Sequence, residues 1–364
     1  MKIKFWSYRQ DYNQNKKKIL KLCNAVFDSG NLILGKNVDT FEKNFSNFIN
    51  SKFSIGVNSG TDALLISLLA LEIKKGDEVI TTSNTAIPTV SAIVSSGAKP
   101  VFIDIKENDF LINEDKILEK INKKTKAIII VNLYGQSPNL DLILNIANKN
   151  KIKIIEDCAQ SFGSKYKSKY TGTFGHLAAF SFYPTKILGA YGDSGMIVTN
   201  NKDLYLKVKS LRQYGMTKDY YSNFHGINSR IDELHAAILN FKLKKIKEKI
   251  KKRREIANFY NLNINNKKII KPKENKWSKH VYYNYVIRCE NRNKLIKFLN
   301  NNNIETKICY PYPIHLMKGY KKYHNKNNNL TITEKLSKEI LSLPNYPEIK
   351  KNYLKKIVKV LNKF

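Results

Sequence analysis

Three segments of this 364-residue chain carry residue types that could act on a small molecule. The first is SFYPTKILGAYGDSG at 181–195, where a β-rich run, Lys186 and a Gly-rich turn follow one another. That order can hold a primary amine at the mouth of a sheet while backbone passes close to a flat ligand. A lone lysine is most often a solvated surface residue, so the segment gains meaning only from its company. The second is KIIEDCAQSFG at 153–163, in which Asp157 ends an apolar run suited to a buried strand. Parallel α/β sheets collect ligands at the carboxyl ends of their strands. A carboxylate there could keep a heteroaromatic nitrogen protonated, and Gln160 could donate to the same ligand. The plainer role for Asp157 is to cap the next turn. The third is VNSGTDALLISLLAL at 57–71, where Ser59, Gly60, Thr61 and Asp62 open a helix. Free N–H groups and the dipole at such a start make an anion site, although the same small residues cap helices that bind nothing.

Positioning these groups requires a sheet. From residue 52 to about 200, β-rich runs alternate with helical patterns, the order of a mostly parallel sheet covered by helices. Strands are expected at 78–81, 100–104, 127–131, 153–156, 178–182 and 196–199, with helices at 63–73, 89–97 and 141–150 between them. After Arg230 the run IDELHAAILNFKLKKIKEKIKKRREIANFY has apolar residues at three- and four-residue spacing and no Gly or Pro, which predicts one long helix joining two lobes. From about 265 onward the pattern changes to a strand at 281–289, a helix at 292–302 and the loop YPYPIH at 310–315, as in a smaller α+β domain.

Composition narrows the function classes. The formal charge of +34 invites a nucleic-acid reading, yet Arg supplies only seven of the 64 basic residues, and the lysines are spread along the whole chain. A groove-reading surface favours clustered Arg, so solvated lysine on outward helix faces is the expected state, with a positive field that also attracts a diphosphate. Cys23, Cys158, Cys289 and Cys309 show neither a disulfide framework nor zinc spacing. The first residues lack the apolar run of a signal peptide, and no run of about 18 apolar residues occurs. The expectation is a soluble cytoplasmic protein with no metal, no nucleic-acid partner and no membrane contact.

Taken together, the three segments and the phrases KGDEVIT (75–81), GAKPVFIDI (97–105), TKAIIIVNLYGQ (125–136) and INSRIDELHAAIL (227–239) resemble the DegT/StrS sugar aminotransferases. The resemblance runs from KFWSYRQDY near residue 4, through ILGKNVDTFEKNF at 33–45, to the YPYPIHL loop. It implies an α/β fold of the aspartate aminotransferase-like type, pyridoxal-phosphate fold type I. In that fold a large domain (1–250) holds a mostly parallel seven-stranded sheet between helices, and a smaller α+β domain (251–364) follows. It implies pyridoxal 5'-phosphate as cofactor, with Lys186 as the Schiff-base lysine, Asp157 as partner of the pyridinium and Gln160 as donor to the phenolic oxygen. Gly60, Thr61 and Ser181 would hold the phosphate, and Asn228 would reach the phosphate of a second subunit in a homodimer with shared active sites. Glutamate would supply the amino group to a nucleotide-linked keto sugar, with Lys186 moving the proton as general acid and base. Lysine rather than histidine at this position implies a transaminase rather than a dehydrase.

Gln160 in EDCAQ, Tyr183 in YPTK and the phrase TSNTAIPT at 82–89 look more like family members acting on 3-keto than on 4-keto sugars, a resemblance that implies a dTDP-3-keto-6-deoxyhexose aminated at carbon 3 for a surface glycan such as lipopolysaccharide O-antigen. A 4-keto sugar is the alternative. Tyr183, His225, Tyr310 and His315 are the candidate sugar and diphosphate contacts, with aromatic packing in loops as their other use. Two positions depart from the resemblance. Ala86 stands where relatives place an aromatic against the cofactor ring, leaving Asn84 or Thr85 to cover that face, and Asn132 stands where relatives commonly carry His. Other readings are a charge-driven nucleic-acid binder, a non-catalytic cofactor-binding regulator, and a dinucleotide oxidoreductase. The last needs a G-x-G-x-x-G turn that GVNSGTDAL at 56–64 does not supply.

Overall fold

A computed structural model describes residues 2–218, 220–324 and 329–364. Helices α1 (Tyr8–Asp28) and α2 (Lys36–Ile49) lead into β1 (Phe53–Val57), α3 (Gly60–Ala70), β2 (Glu78–Thr82), α4 (Ile87–Ser95), β3 (Lys99–Ile103), β4 (Thr125–Val131), α5 (Leu140–Lys149) and β5 (Lys153–Asp157). The short pair β6 (Lys165–Tyr166) and β7 (Lys169–Tyr170) precedes β8 (Leu177–Ser181), β9 (Gly195–Thr199) and α6 (Lys202–Leu211). A hairpin of β10 (Met216–Lys218) and β11 (Tyr221–Ser222) leads to α7 (Glu233–Leu243) and α8 (Ile246–Asn263). The chain ends with β12 (Ser278–Lys279), β13 (Tyr285–Arg288), α9 (Arg292–Asn301), α10 (Thr331–Glu339), β14 (Ile340–Leu343) and α11 (Lys351–Leu361).

The main sheet has seven strands in the order β1-β9-β8-β5-β4-β2-β3. Only β9 runs against its neighbours, pairing antiparallel with β1 and β8, while the other four pairings are parallel. Strand β4, TKAIIIV, shows why: an almost unbroken β-branched run suits a strand buried on both faces. The edge strand β1 was absent from the expected strands and pairs in register with β9.

Side-chain alternation along the strands decides where chemistry can go. Ile155, Ile129 and Ile197 pack against α3 and α4, whereas Ile154, Ile128 and Ile130 pack against α5 on the opposite face. At the end of β5 this period of two separates adjacent acids. Glu156 turns to the α5 side, where it accepts hydrogen bonds from the backbone of Gly172 (2.8 Å), Phe174 (2.8 Å) and Gly175 (2.9 Å). Asp157 turns to the α3 side.

Two expected elements differ. The helix after Arg230 divides at Lys244 and Lys245 into α7 and α8. Leu239 and Leu243 bury against Phe41 and Phe45 of α2, while Ile256, Ala257 and Tyr260 bury in the core of the C-terminal elements. The bend lets one amphipathic run serve two cores. The strand expected at 281–289 shortens to β13, because Val281 inserts into the first of these cores and Tyr282 into the second, and Val281 donates its N–H to Gly135 (2.9 Å). We propose that the two lobes divide within α8 near residue 250; Ile3 and Trp6 of the N-terminal segment pack with the C-terminal core.

The crossing segment holds a histidine that must stay neutral. His280 stacks on Tyr282 at 3.9 Å between ring centroids, and its Nδ1 accepts the Tyr282 N–H (2.9 Å). Burial, with Arg254 nearby, pushes its pKa down to about 3. Between that value and the ordinary 6.5 the unfolded chain binds a proton that the folded chain refuses, so stability falls as pH drops through this window. Urea unfolding measured from pH 7 to pH 4 should show a shallower loss of stability in His280→Asn than in the parent protein; equal slopes would refute the linkage.

Candidate active site

The turn that presents Lys186 is built locally. Tyr183, Pro184, Thr185 and Lys186 close a turn through the Lys186 N–H and the Tyr183 carbonyl (2.8 Å), with Pro184 at the position where its fixed φ favours a turn. Gly189 lets the loop fold back: a Cβ there would lie 2.5 Å from the Pro184 carbonyl oxygen. From α7, Lys242 Nζ donates to the Gly189 carbonyl (2.7 Å) and lies 3.6 Å from Asp11 of α1, so the loop is pinned from behind. Lys186 Nζ sits 4.9 Å from the centroid of the Tyr283 ring, on the segment that joins the lobes.

A cavity of about 310 Å³ opens at the carboxyl ends of β5 and β8, and Lys186 and Asp157 both lie on its wall. Asp157 is buried, with Oδ2 accepting from Thr89 Oγ1 (2.7 Å) and Oδ1 from the Ala159 N–H (3.1 Å). Burial raises its pKa, while Thr89, Ala159 and the Lys186 charge oppose that rise. Gly60, Thr61, Gln160, Ser181, Tyr183 and Tyr310 share the wall. Gln160 is held at both ends, its carbonyl accepting the Tyr134 N–H (2.9 Å) and its amide donating to Tyr310 Oη (2.5 Å). Burial also pushes the Tyr310 hydroxyl pKa far up, so it is a neutral partner.

The start of α3, with Ser59, Gly60 and Thr61, also lines the cavity. Ser59 caps α3 by accepting the Asp62 N–H (3.0 Å), and the first turn beyond it leaves backbone N–H groups without helical partners. Close approach here depends on glycine. A Cβ on Gly60 would meet Ser181 Cβ at 2.6 Å, and one on Gly195 would meet the Ser59 carbonyl oxygen at 2.3 Å. An amine, a buried carboxylate and an anion cradle around one cavity fit the pyridoxal phosphate that the resemblance implies.

Other expected contacts lie elsewhere. His315 does not face the cavity: it is fully buried, its Nδ1 shares a hydrogen bond with Ser83 Oγ (2.7 Å) and its Nε2 faces Glu334 (3.2 Å). The cause is the tuck of residues 314–316 beneath the end of β2, where Ser83 also takes the N–H groups of Ile314 and His315. His225 and Asn228 are exposed and outside the wall. Of the two residues offered to cover the ring face, Thr85 lines the cavity beside Ala86, while Asn84 is buried and directed at the Phe110 carbonyl. Asn132 is buried with its amide toward Cys158 Sγ (3.3 Å).

Sequence reasoning missed Thr89, Tyr283, Lys307 and Asp193, all on the wall. Thr89 had a faint signal, since Thr85 and Thr89 are four apart at a helix start. Lys307 had none among so many lysines.

The sequence profile described as the DegT/DnrJ/EryC1/StrS aminotransferase family matches residues 13–362. This chain belongs to that family. A relative from Aneurinibacillus thermoaerophilus, dTDP-3-amino-3,6-dideoxy-alpha-D-galactopyranose transaminase, is 41% identical over 362 residues, covering 100% of this chain and 99% of its own. Another from Micromonospora megalomicea subsp. nigra, dTDP-3-amino-3,4,6-trideoxy-alpha-D-glucose transaminase, is 39% identical over 350 residues and 94% of each chain. Among solved structures, S. venezuelae DesV in complex with a ketimine intermediate superposes with a TM-score of 0.97 at 30% identity, over 100% of this chain and 98% of that one. The fold of the family, a mostly parallel sheet between helices, is the one observed.

The glycine argument carries a test. Gly195→Ala should fold but lose pyridoxal phosphate affinity by tenfold or more in a fluorescence titration, because the added methyl displaces the start of α3. Unchanged affinity would show that the cradle does not hold the phosphate.

Proposed function

We propose that this protein is a pyridoxal-phosphate transaminase that moves an amino group from L-glutamate to a nucleotide-linked keto sugar. The favoured substrate is a dTDP-3-keto-6-deoxyhexose, aminated at carbon 3. The observation that carries this reading is one cavity with Lys186, the buried Asp157 and the free start of α3 on its wall, in a family whose relatives at 39% and 41% identity are named as transaminases of dTDP-3-amino sugars.

When bound, pyridoxal phosphate supplies an electron sink for negative charge beside the transferred nitrogen. Gly60, Thr61 and Ser181 hold its phosphate against the helix dipole. The Asp157 carboxylate holds a proton on the ring nitrogen, and Gln160, already aimed by the Tyr134 N–H, offers a donor to the phenolic oxygen. Lys186 Nζ takes and returns the proton that moves during amino transfer. Tyr183, half exposed at the mouth, and Tyr310, on a loop from the other lobe, orient the sugar.

The same reading includes a homodimer. Asn228 and His225 do not reach this chain's own cavity, which supports their serving a second copy. Exposed Tyr214, Tyr220, Tyr221 and Phe224 flank them, an apolar surface of the kind that marks a protein contact. Among the described residues no helix is long and apolar enough to cross a membrane, and the four cysteines are free thiols. We place the enzyme in the cytoplasm, making a precursor for a surface glycan.

Three measurements test this. Mass spectrometry of products from 3-keto and 4-keto nucleotide sugars with glutamate should show amination of the dTDP-3-keto sugar; product from 4-keto sugars alone would move the assignment to carbon 4, and none from any sugar would favour the regulator. Lys186→Ala should lose at least about a thousandfold in turnover, the scale of a positioned acid–base group, while keeping the fold by circular dichroism; near-normal turnover would end the mechanism. Mixing inactive Lys186→Ala and Asn228→Ala proteins after subunit exchange should restore partial activity, since one cavity of the mixed dimer is intact; no recovery would place Asn228 outside the neighbouring site.

A further inference from the structure

Asp157 sits where a carboxylate tends to become neutral. It is buried at the end of β5, and an uncompensated charge there is costly. Among the described residues its carboxylate accepts two hydrogen bonds, from the Ala159 N–H and from Thr89 Oγ1. The backbone donor is part of the turn after β5 and cannot be tuned by a side chain. The hydroxyl can.

Thr89 stands in the first turn of α4 and is fully buried. Its Oγ1 lies 2.7 Å from Asp157 Oδ2 and 2.9 Å from Thr85 Oγ1, and Thr85 is buried as well. A hydroxyl carries one proton. With the ionised carboxylate able only to accept, Thr89 must give its proton to Asp157 and receive one from Thr85. The two hydroxyls therefore form a directed relay, Thr85 to Thr89 to Asp157, in which each bond polarises the next. Nearby Asn132 takes no part in this relay, because its amide faces Cys158 Sγ and, among the described residues, its carbonyl oxygen has no partner. Lys186 is the cation whose charge reaches Asp157, and transamination itself draws on that amine.

We propose that Thr89 is a positioning residue that holds Asp157 ionised and oriented toward the ring nitrogen of the cofactor, with Thr85 fixing the direction of its hydroxyl. This rests on the reading that Asp157 faces that nitrogen. Thr89 lines the cavity, but among the described residues its hydroxyl is committed to Asp157 and Thr85, so the effect of removing that hydroxyl reaches the reaction through the carboxylate. Loss of one hydrogen bond to a charged group corresponds to about ten- to hundredfold, and that is the expected fall in kcat, with KM for the sugar unchanged.

The deciding measurement is the 15N resonance of the pyridine nitrogen in protein reconstituted with 15N-labelled pyridoxal 5'-phosphate. The parent protein and Thr89→Ser should show a protonated nitrogen. Thr89→Val, close in shape but without the donor, should move the resonance toward the unprotonated position, and Thr89→Ala provides the same test should the valine variant fold poorly. Thr85→Val should shift it less, since Thr89 keeps its own proton for Asp157. Wild-type resonances in both donor-less Thr89 variants would overturn the inference. Asp157→Asn separates the two levels. If that variant shifts the resonance while the Thr89 variants do not, only the role of Thr89 falls; if it also leaves the nitrogen protonated, the placing of Asp157 against the ring falls with it.

Discussion

The structure turns on keeping one carboxylate charged inside a protein. Asp157 lies at the edge of a buried sheet, where desolvation favours its neutral form. A neutral acid could not hold a proton on a pyridine nitrogen, the role proposed for Asp157, so that role needs surroundings that oppose the burial. They do so with a backbone N–H, a threonine hydroxyl that is itself hydrogen-bonded to another, and the charge of an amine on the same cavity wall. Each donor comes from a different part of the chain, and the parallel sheet brings them together.

The pleat does the sorting. Glu156 and Asp157 are neighbours in sequence and opposites in function, because successive strand residues point to opposite faces. Glu156 is consumed by three backbone donors on the α5 side. Its neighbour faces the start of α4 and the cavity. In the same way Ser181, at the end of β8, faces Gly60 across a gap too small for a Cβ, so the close packing at the start of α3 depends on two glycines and on the register of three strands.

Segments that follow α8 close the site from the other side. Tyr283 and Tyr310 reach the cavity from segments beyond α8, and Tyr310 has a left-handed backbone (φ 69°), a conformation that non-glycine residues adopt only when surroundings enforce it. Its hydroxyl meets Gln160, and Gln160 takes the N–H of Tyr134, another left-handed tyrosine. A hydrogen-bonded chain thus links Tyr134, Gln160 and, from beyond α8, Tyr310 at the cavity wall.

Much of this was legible without coordinates. A lysine set between a β-rich run and a Gly-rich turn, a small-residue start to an apolar helix, and an acid closing a β-branched run are local signals, set by φ preferences, capping and strand periodicity, and each lies on the element where it was read. What the chain alone could not decide was which distant side chains share a wall. His315 in a suggestive motif is sequestered under β2, Asn84 turns away, and one long helical pattern breaks at Lys244 and Lys245 to feed two cores. Thr89, Tyr283 and Lys307 arrive without announcement. Local sequence determines backbone conformation over a few residues, but the direction and company of a side chain depend on contacts between segments scores or hundreds of residues apart, and those exist only once the lobes have packed.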